Sequence, residues 1–160
     1  MILKDSGERR EFKTGAVRDR AIGKGRCDLL PLDIIAEWTG CVPLLYIYDY
    51  IHKGHVASLY GALDKFVESV GMSKAKATLY IAKHYERGAM KYGERNWEQG
   101  LPVSWYIDSG VRHMLQYLDG ATDEPHADAF MWNIIGAVWT HKHFPELRDL
   151  PFADKEVVHD

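Results

Sequence analysis

Residues that could hold a metal ion and activate a water molecule are concentrated between positions 86 and 126 of the 160-residue chain. Carboxylate oxygens suit Mg²⁺, whereas a shell that includes histidine nitrogens suits Mn²⁺ or another transition metal better. We therefore predict a site for Mg²⁺ or Mn²⁺. Its predicted ligands are Glu86, Asp108, Asp123, Glu124 and His126. Asp108 and His113 are the predicted catalytic residues, because either could accept a proton from water.

These residues also have ordinary structural explanations. Asp108 and Arg112 are four residues apart, so they could form an ion pair on the surface of a helix. Asp123 and Glu124 precede a helical segment, where acidic side chains stabilise the positive end of the helix dipole. Both explanations remain open on the sequence alone.

A loop over residues 92–100 carries the features of a nucleotide-binding segment. Trp97 offers an aromatic face for a base, and Asn96 could pair with a purine edge. Trp97 could instead fill the core beneath the loop. Phosphate groups would be bound by basic side chains, and the candidates are Lys24, Arg26, Lys91, Arg95 and Arg112.

Three helical segments must position these residues, over residues 80–92, 103–118 and 124–143. Apolar residues cover most of the third segment, so we expect that helix to be largely buried. A stripe of small and polar residues interrupts its apolar surface and contains His126, Ala129, Asn133, Ala137 and Thr140. Buried polar side chains need partners. We therefore add Asn133 to the predicted substrate-binding residues.

The rest of the chain also favours helices. Residues 29–38 and 55–70 show helical spacing of apolar residues, whereas residues 44–52 could form a strand or a helix. No segment shows convincing strand alternation, so we predict an all-α fold in one domain, residues 1–160. Its predicted parts are a basic N-terminal arm over residues 1–28, a helical insertion over 34–78, the site helices over 80–143 and an acidic tail over 151–160.

Composition excludes several classes of protein. The formal net charge is −3, which argues against nonspecific binding of nucleic acid. Cys27 and Cys41 are too few for a disulfide framework and lack the spacing of metal ligands, so we expect reduced thiols. No apolar run reaches the length of a membrane span. We expect a soluble, cytoplasmic protein.

Several stretches share their order and spacing with one known family. They are residues 13–19, 23–31, 84–93, 95–97, 106–113, 123–126 and 132–133. Together they resemble the phage-borne dATP/dGTP diphosphohydrolase domain family, which is related to the MazG-like all-α nucleotide pyrophosphohydrolases. The resemblance implies a helical bundle of the MazG-like type that cleaves a purine deoxynucleoside triphosphate to the monophosphate and pyrophosphate. With a phage origin, the location would be the host cytoplasm.

One part of the wider family's pattern is missing. MazG-like proteins bind Mg²⁺ through an ExxE helix followed by an ExxD helix. This chain has Arg112, His113, Gln116 and Asn133 where acids would be expected. The alternative function is therefore a non-catalytic nucleotide- or partner-binding protein on the same fold. An HD-type phosphohydrolase would need an adjacent His-Asp pair, which occurs only at His159-Asp160.

The resemblance also bears on assembly. Together with aromatic residues that we expect to be exposed on the third helical segment and on the insertion, it predicts a homo-oligomer, either a dimer or a dimer of dimers.

Overall fold

A computed structural model describes residues 8–19 and 21–156, with side chains described as far as Asp154. The described part contains seven α-helices and one small sheet, which confirms the predicted all-α class. The helices are α1 (Leu32–Thr39), α2 (Val42–Lys53), α3 (Val56–Ser69), α4 (Lys74–Tyr92), α5 (Val103–Leu118), α6 (His126–His143) and α7 (Pro151–Glu156). The strands are β1 (Arg9–Glu11) and β2 (Val17–Asp19). Short 3₁₀ turns lie at Cys27–Leu29, Asn96–Gln99 and Pro145–Leu147.

Local sequence signals set the ends of the three site helices. The Ser73 side chain accepts a hydrogen bond from the Lys76 backbone N–H at 3.1 Å, which caps the start of α4. Gly93 ends α4 with a φ of 90°. The bounds of α5 are those predicted. Helix α6 begins after Pro125, two residues later than predicted, because the two acidic residues lie in the turn before it.

Residues 44–52 are helical rather than extended. Leu44, Ile47 and Ile51 are buried at helical spacing within α2, and Pro43 lies in its first turn. Phe66 of α3 packs on Phe130 of α6, with ring centroids 5.2 Å apart. The helices of residues 34–78 therefore share a core with the site helices. That this segment is an insertion stays a prediction.

The N-terminal arm contains two strands that the sequence analysis did not predict. β1 and β2 pair antiparallel, with Arg10 opposite Arg18, through a turn that includes Gly15 at a φ of 91°. Each strand is only three residues long, which is too short to show alternation. Phe12 between the strands is buried and packs edge-on against Trp105 at 4.8 Å.

Residues 151–156 of the predicted acidic tail form α7, which the sequence analysis did not predict. Phe152 is buried against Tyr50 and His141, with centroid distances of 5.4 and 5.6 Å. Phe152 thus packs this segment against the rest of the protein, although the segment is acidic in composition. Residues 157–160, and with them the His159-Asp160 pair, lie outside the described residues.

Helices α5 and α6 form the most extensively packed pair and approach closely at two glycines. A Cβ at Gly110 of α5 would lie 3.2 Å from the Cβ of Asn133. A Cβ at Gly136 of α6 would lie within 2.8 Å of the ring of Tyr106, which is fully buried. The two helices can approach this closely only because neither position carries a side chain.

The aromatic residues of α6 are not exposed, which corrects one basis of the predicted oligomer. Phe130 is fully buried, and Trp132 and Trp139 are half-buried against other rings. Large exposed apolar residues lie instead on α1 and α2, and Trp38 is 83% exposed. The homo-oligomer stays a prediction. None of the helices in the described part of the chain combines the length and apolar character that a membrane span needs.

The close approach of α5 and α6 predicts opposite effects for two glycine substitutions. Gly136→Ala should lower the free energy of unfolding by roughly 1–3 kcal/mol, because the methyl group would collide with Tyr106. Gly88→Ala in α4 should raise it by up to about 1 kcal/mol, since a Cβ there meets nothing within 4 Å. Urea unfolding at pH 7 measures both, and equal effects would contradict the packing described.

Candidate functional site

A cleft with a volume of about 1160 Å³ lies beside α4, α5 and α6 and is bordered by the N-terminal arm. Its volume slightly exceeds the usual range for small-molecule pockets, so a nucleoside triphosphate would fit. Most of the predicted site residues line it, namely Lys24, Glu86, Lys91, Arg95, Asn96, Trp97, Asp108, Arg112, His113, Asp123 and Glu124. The lining does not include Arg26, His126 and Asn133, but His126 and Asn133 contact residues that belong to it.

Asp108 and Arg112 attach the arm to α5. The carboxylate of Asp108 is 5% exposed and accepts from the Cys27 backbone N–H at 2.7 Å. Its other oxygen accepts from Arg112 at 2.6 Å, and Arg112 also donates to the Gly25 carbonyl at 2.7 Å. The ion pair allowed by the sequence is therefore present. The catalytic role of Asp108 stays a prediction, and both of its oxygens already have partners.

Arg18 enters the cleft from β2 and was not among the predicted site residues. Its guanidinium donates to the Asn133 side-chain oxygen at 3.4 Å and to the Ser109 hydroxyl at 3.2 Å. It also lies 5.2 Å from the centre of the Trp132 ring. The arm thus places a cation between α5 and α6. The sequence signal was only its place in a basic arm with spaced glycines.

A second arm residue, Asp19, forms an ion pair with Lys91 of α4 at 2.6 Å. The side chains are 15% and 10% exposed, so the pair is largely shielded from water. Asn96 holds β2 from the other side, since its amide accepts from the Val17 N–H at 2.9 Å and donates to the Val17 carbonyl at 3.0 Å. These contacts give Asn96 a structural role, and its pairing with a purine edge stays a prediction.

Trp97 lines the cleft and also packs on two aromatic rings. Its ring lies edge-on to Tyr85 at 5.3 Å and to Trp139 at 4.9 Å. Trp97 could therefore stack on a base or serve as part of the core, because its ring packs on other aromatic rings and also borders the cleft. Trp132 and Tyr85 extend the same aromatic wall, with centroids 5.8 Å apart.

Two histidines and two acidic residues meet where α5 approaches the start of α6. His113 Nδ1 lies 2.9 Å from His126 Nδ1, and His126 Nε2 lies 2.8 Å from an Asp123 oxygen. Glu124 completes a group with both histidines, with one ligand atom of each within 4.8 Å of the others. Burial, followed by the charges of His126 and Arg18, lowers the pKa of His113 to about 3. This imidazole is neutral near pH 7.

Other predicted residues are not part of this group. Glu86 is exposed and is not part of the group of potential metal ligands in the described chain. Arg26 pairs with Asp28 at 2.7 Å outside the cleft, and Arg95 pairs with Glu98 at 2.5 Å. The structure therefore brings Asp123, Glu124 and His126 of the predicted metal site together with His113 and leaves Glu86 and Asp108 outside this group.

His84 is a further buried residue of the cleft wall that was not predicted as a site residue. Its ring is 8% exposed and lies 5.3 Å from Trp132. Its Nδ1 has no hydrogen-bond partner among the described residues. Burial, followed by the charges of Arg87 and Arg18, lowers the pKa of His84 to about 3.

These features define an all-α protein with a cation-lined cleft beside three helices. The family described as "dATP/dGTP diphosphohydrolase, N-terminal" matches residues 66–150, and the chain belongs to this family. The resemblance found from the sequence is thereby confirmed. The match includes α4, α5 and α6, whereas the arm that carries Arg18 lies outside it. Comparison with curated proteins found no match, and comparison with solved structures found none either.

The buried imidazole of His84 predicts a loss of stability in acid. The unfolded chain takes up a proton near the ordinary histidine pKa of 6.5, whereas folded His84 does so only near 3. The contribution of neutral His84 to the free energy of unfolding is therefore fully present above pH 6.5, and it decreases as the pH falls towards 3. Because the unfolded chain binds this proton and the folded chain does not, the free energy of unfolding falls by roughly 2 kcal/mol between pH 6.5 and 5.

His84→Phe keeps an aromatic ring but cannot bind the proton, so its unfolding free energy should fall less steeply over this pH range. Urea unfolding at several pH values measures the slope. A matched control is His143→Phe, which replaces an exposed histidine at the end of α6 and should keep the wild-type slope. Identical slopes in wild type and His84→Phe would contradict a neutral buried His84.

Proposed function

We propose that this protein hydrolyses a purine deoxynucleoside triphosphate, dATP or dGTP, to the monophosphate and pyrophosphate in a metal-dependent reaction. The observation that carries the proposal is the composition of one cleft. It combines an aromatic wall, basic side chains and a cluster of histidine and acidic residues. The family's description, which names a dATP/dGTP diphosphohydrolase, supports the same substrate class.

Basic residues from three separate elements would bind the triphosphate. Arg18 comes from β2, Lys91 from α4 and Arg112 from α5, and all three line the cleft. Lys91 and Arg112 are already paired with Asp19 and Asp108, so their side chains are held in place. Basic side chains that are already held in position can stabilise phosphate charge without a further free-energy cost for ordering them during the reaction. Trp97 and Tyr85 would form the wall beside the base.

Water is the nucleophile best supported by the cleft. Burial raises the pKa of the Cys27 thiol above its ordinary value, which disfavours the thiolate that a covalent route needs. The Ser109 hydroxyl receives a hydrogen bond from Arg18 instead of donating to a base that could activate it. A divalent cation at the histidine cluster would neutralise phosphate oxygens and lower the pKa of a bound water molecule.

One observation favours a second function, nucleotide binding without hydrolysis. The best-placed carboxylate, Asp108, uses both oxygens to hold Cys27 and Arg112. The resemblance to MazG-like proteins also implies acidic ligands where this chain has Arg112, His113, Gln116 and Asn133. A protein that had lost hydrolysis would keep the cations and the aromatic wall, as this cleft does.

Pyrophosphate release separates the two functions. The full chain is incubated with each of the four dNTPs and with ATP and GTP, in Mg²⁺, in Mn²⁺, in Co²⁺, in Zn²⁺ and after chelation. We expect release from dATP or dGTP with a divalent cation and none after chelation. Nucleotide binding without pyrophosphate release under every condition would overturn the hydrolase and favour the binding protein.

Arg18 gives a sharper prediction because sequence analysis had not placed it in the site. Arg18→Gln should weaken binding of the preferred dNTP by roughly 10- to 100-fold, since charge-assisted hydrogen bonds to phosphate would be lost. Binding is measured by calorimetry with a non-hydrolysable analogue, and circular dichroism checks that the variant is folded. The control Lys65→Gln removes an exposed cation on α3 and should bind like wild type. Unchanged affinity in Arg18→Gln would remove this residue from the phosphate site.

A further inference from the structure

The group formed by His113, Glu124 and His126 combines nitrogen and oxygen donors from α5, from the turn before α6 and from the start of α6. We propose that these three residues bind one divalent transition-metal ion, and that Asp123 orients His126 for it. This inference deepens the proposed function by naming the ligands and the class of metal. A catalytic role for the bound ion rests on the proposed function, whereas binding of the ion does not.

The distances between the donors favour a single ion. The Nδ1 atoms of His113 and His126 are 2.9 Å apart. Two imidazole nitrogens that bind the same tetrahedral ion at about 2.05 Å lie roughly 3.3 Å apart. Binding would therefore require the two nitrogens to separate by less than 1 Å. Because His126 Nδ1 accepts this hydrogen bond, His113 would also have to move its proton from Nδ1 to Nε2 and turn its lone pair towards the ion. Since one ligand atom each from His113, Glu124 and His126 lies within 4.8 Å of the others, no large movement of a helix is needed.

Asp123 gives His126 the tautomer that metal binding requires. A carboxylate oxygen only accepts hydrogen bonds, so His126 Nε2, 2.8 Å from the Asp123 oxygen, carries the proton. In the neutral ring, Nδ1 then carries the lone pair, and it points to His113. Carboxylates commonly orient metal-binding histidines in this way. His126 is 2% exposed, so its ring has little freedom to turn.

The donor set discriminates between metals. Mg²⁺ prefers oxygen ligands in octahedral geometry, but two of the three side chains here offer nitrogen. Asp108, which could have added a carboxylate, is already bonded to Cys27 and Arg112. Imidazole nitrogens favour Zn²⁺, Co²⁺ and related ions over Mg²⁺. This cluster therefore does not fit the all-carboxylate Mg²⁺ site of the wider family.

The position of the cluster suits a site that is open to a substrate. His113, Asp123 and Glu124 line the cleft, whereas His126 lies behind them. Three protein ligands leave at least one coordination position for water or a phosphate oxygen, as in catalytic metal sites. A structural site would instead be closed by four protein ligands.

Metal binding is tested without nucleotide, on the full chain after dialysis against a chelator. Co²⁺ is titrated in and its visible absorption is recorded, and Zn²⁺ is then added as a competitor. We expect one equivalent of Co²⁺ to give bands that Zn²⁺ removes and that excess Mg²⁺ leaves in place. His113→Gln and Glu124→Gln should each weaken Co²⁺ binding at least about tenfold, an effect similar to or larger than that of losing an outer-shell partner.

Two matched controls test whether the ligands are specific. Glu86→Gln removes an exposed acid of the same cleft, and His143→Gln removes a histidine at the far end of α6. Both should bind Co²⁺ like wild type. Absence of Co²⁺ bands, or equal affinity in folded His113→Gln and Glu124→Gln, would overturn the metal site whatever the result for hydrolysis. Stoichiometric binding without pyrophosphate release would instead overturn the hydrolase and leave the metal site in place.

Discussion

The close packing of α5 against α6 determines where the functional side chains can lie. Gly110 and Gly136 allow the helices to approach, because a Cβ at either position would meet a residue of the other helix. The polar residues on their facing surfaces are consequently brought within hydrogen-bonding distance, as His113 and His126 show at 2.9 Å. A wider separation would allow water between them and would weaken every electrostatic interaction at this interface.

Polar groups at such an interface must find partners, and the N-terminal arm provides them. Arg18 donates to Asn133 and Ser109, and the Cys27 N–H donates to Asp108. Leaving a buried polar group without a partner costs roughly 1–3 kcal/mol. The arm is therefore part of the cleft rather than a cover over it, although it lies outside the residues that match the family.

The sequence predicted those features that depend on neighbours close in the chain. Apolar periodicity predicted α5 with its observed bounds. The start of α4 likewise depends on a close neighbour, because the Ser73 side chain caps it. The hairpin and α7 were missed because residues distant in the chain hold them, as the contacts of Phe12 with Trp105 and of Phe152 with Tyr50 show. Arg18 was missed as a site residue for the same reason, since its partners are 91 and 115 residues away.

Asp108 shows how distant contacts change the chemistry that a residue can perform. Spacing alone allowed an ion pair with Arg112 or a role as ligand or base, and the arm adds a second hydrogen bond to its other oxygen. To bind a metal, this carboxylate would first have to give up charge-assisted hydrogen bonds that contribute roughly 1.5–3 kcal/mol each. At His126 the cost is the 2.9 Å hydrogen bond to His113, which is itself a proposed ligand, because Asp123 already fixes the proton at the other nitrogen. The acid at the centre of α5 thus stabilises the arm, and the histidines are the groups left in a geometry that can bind a metal.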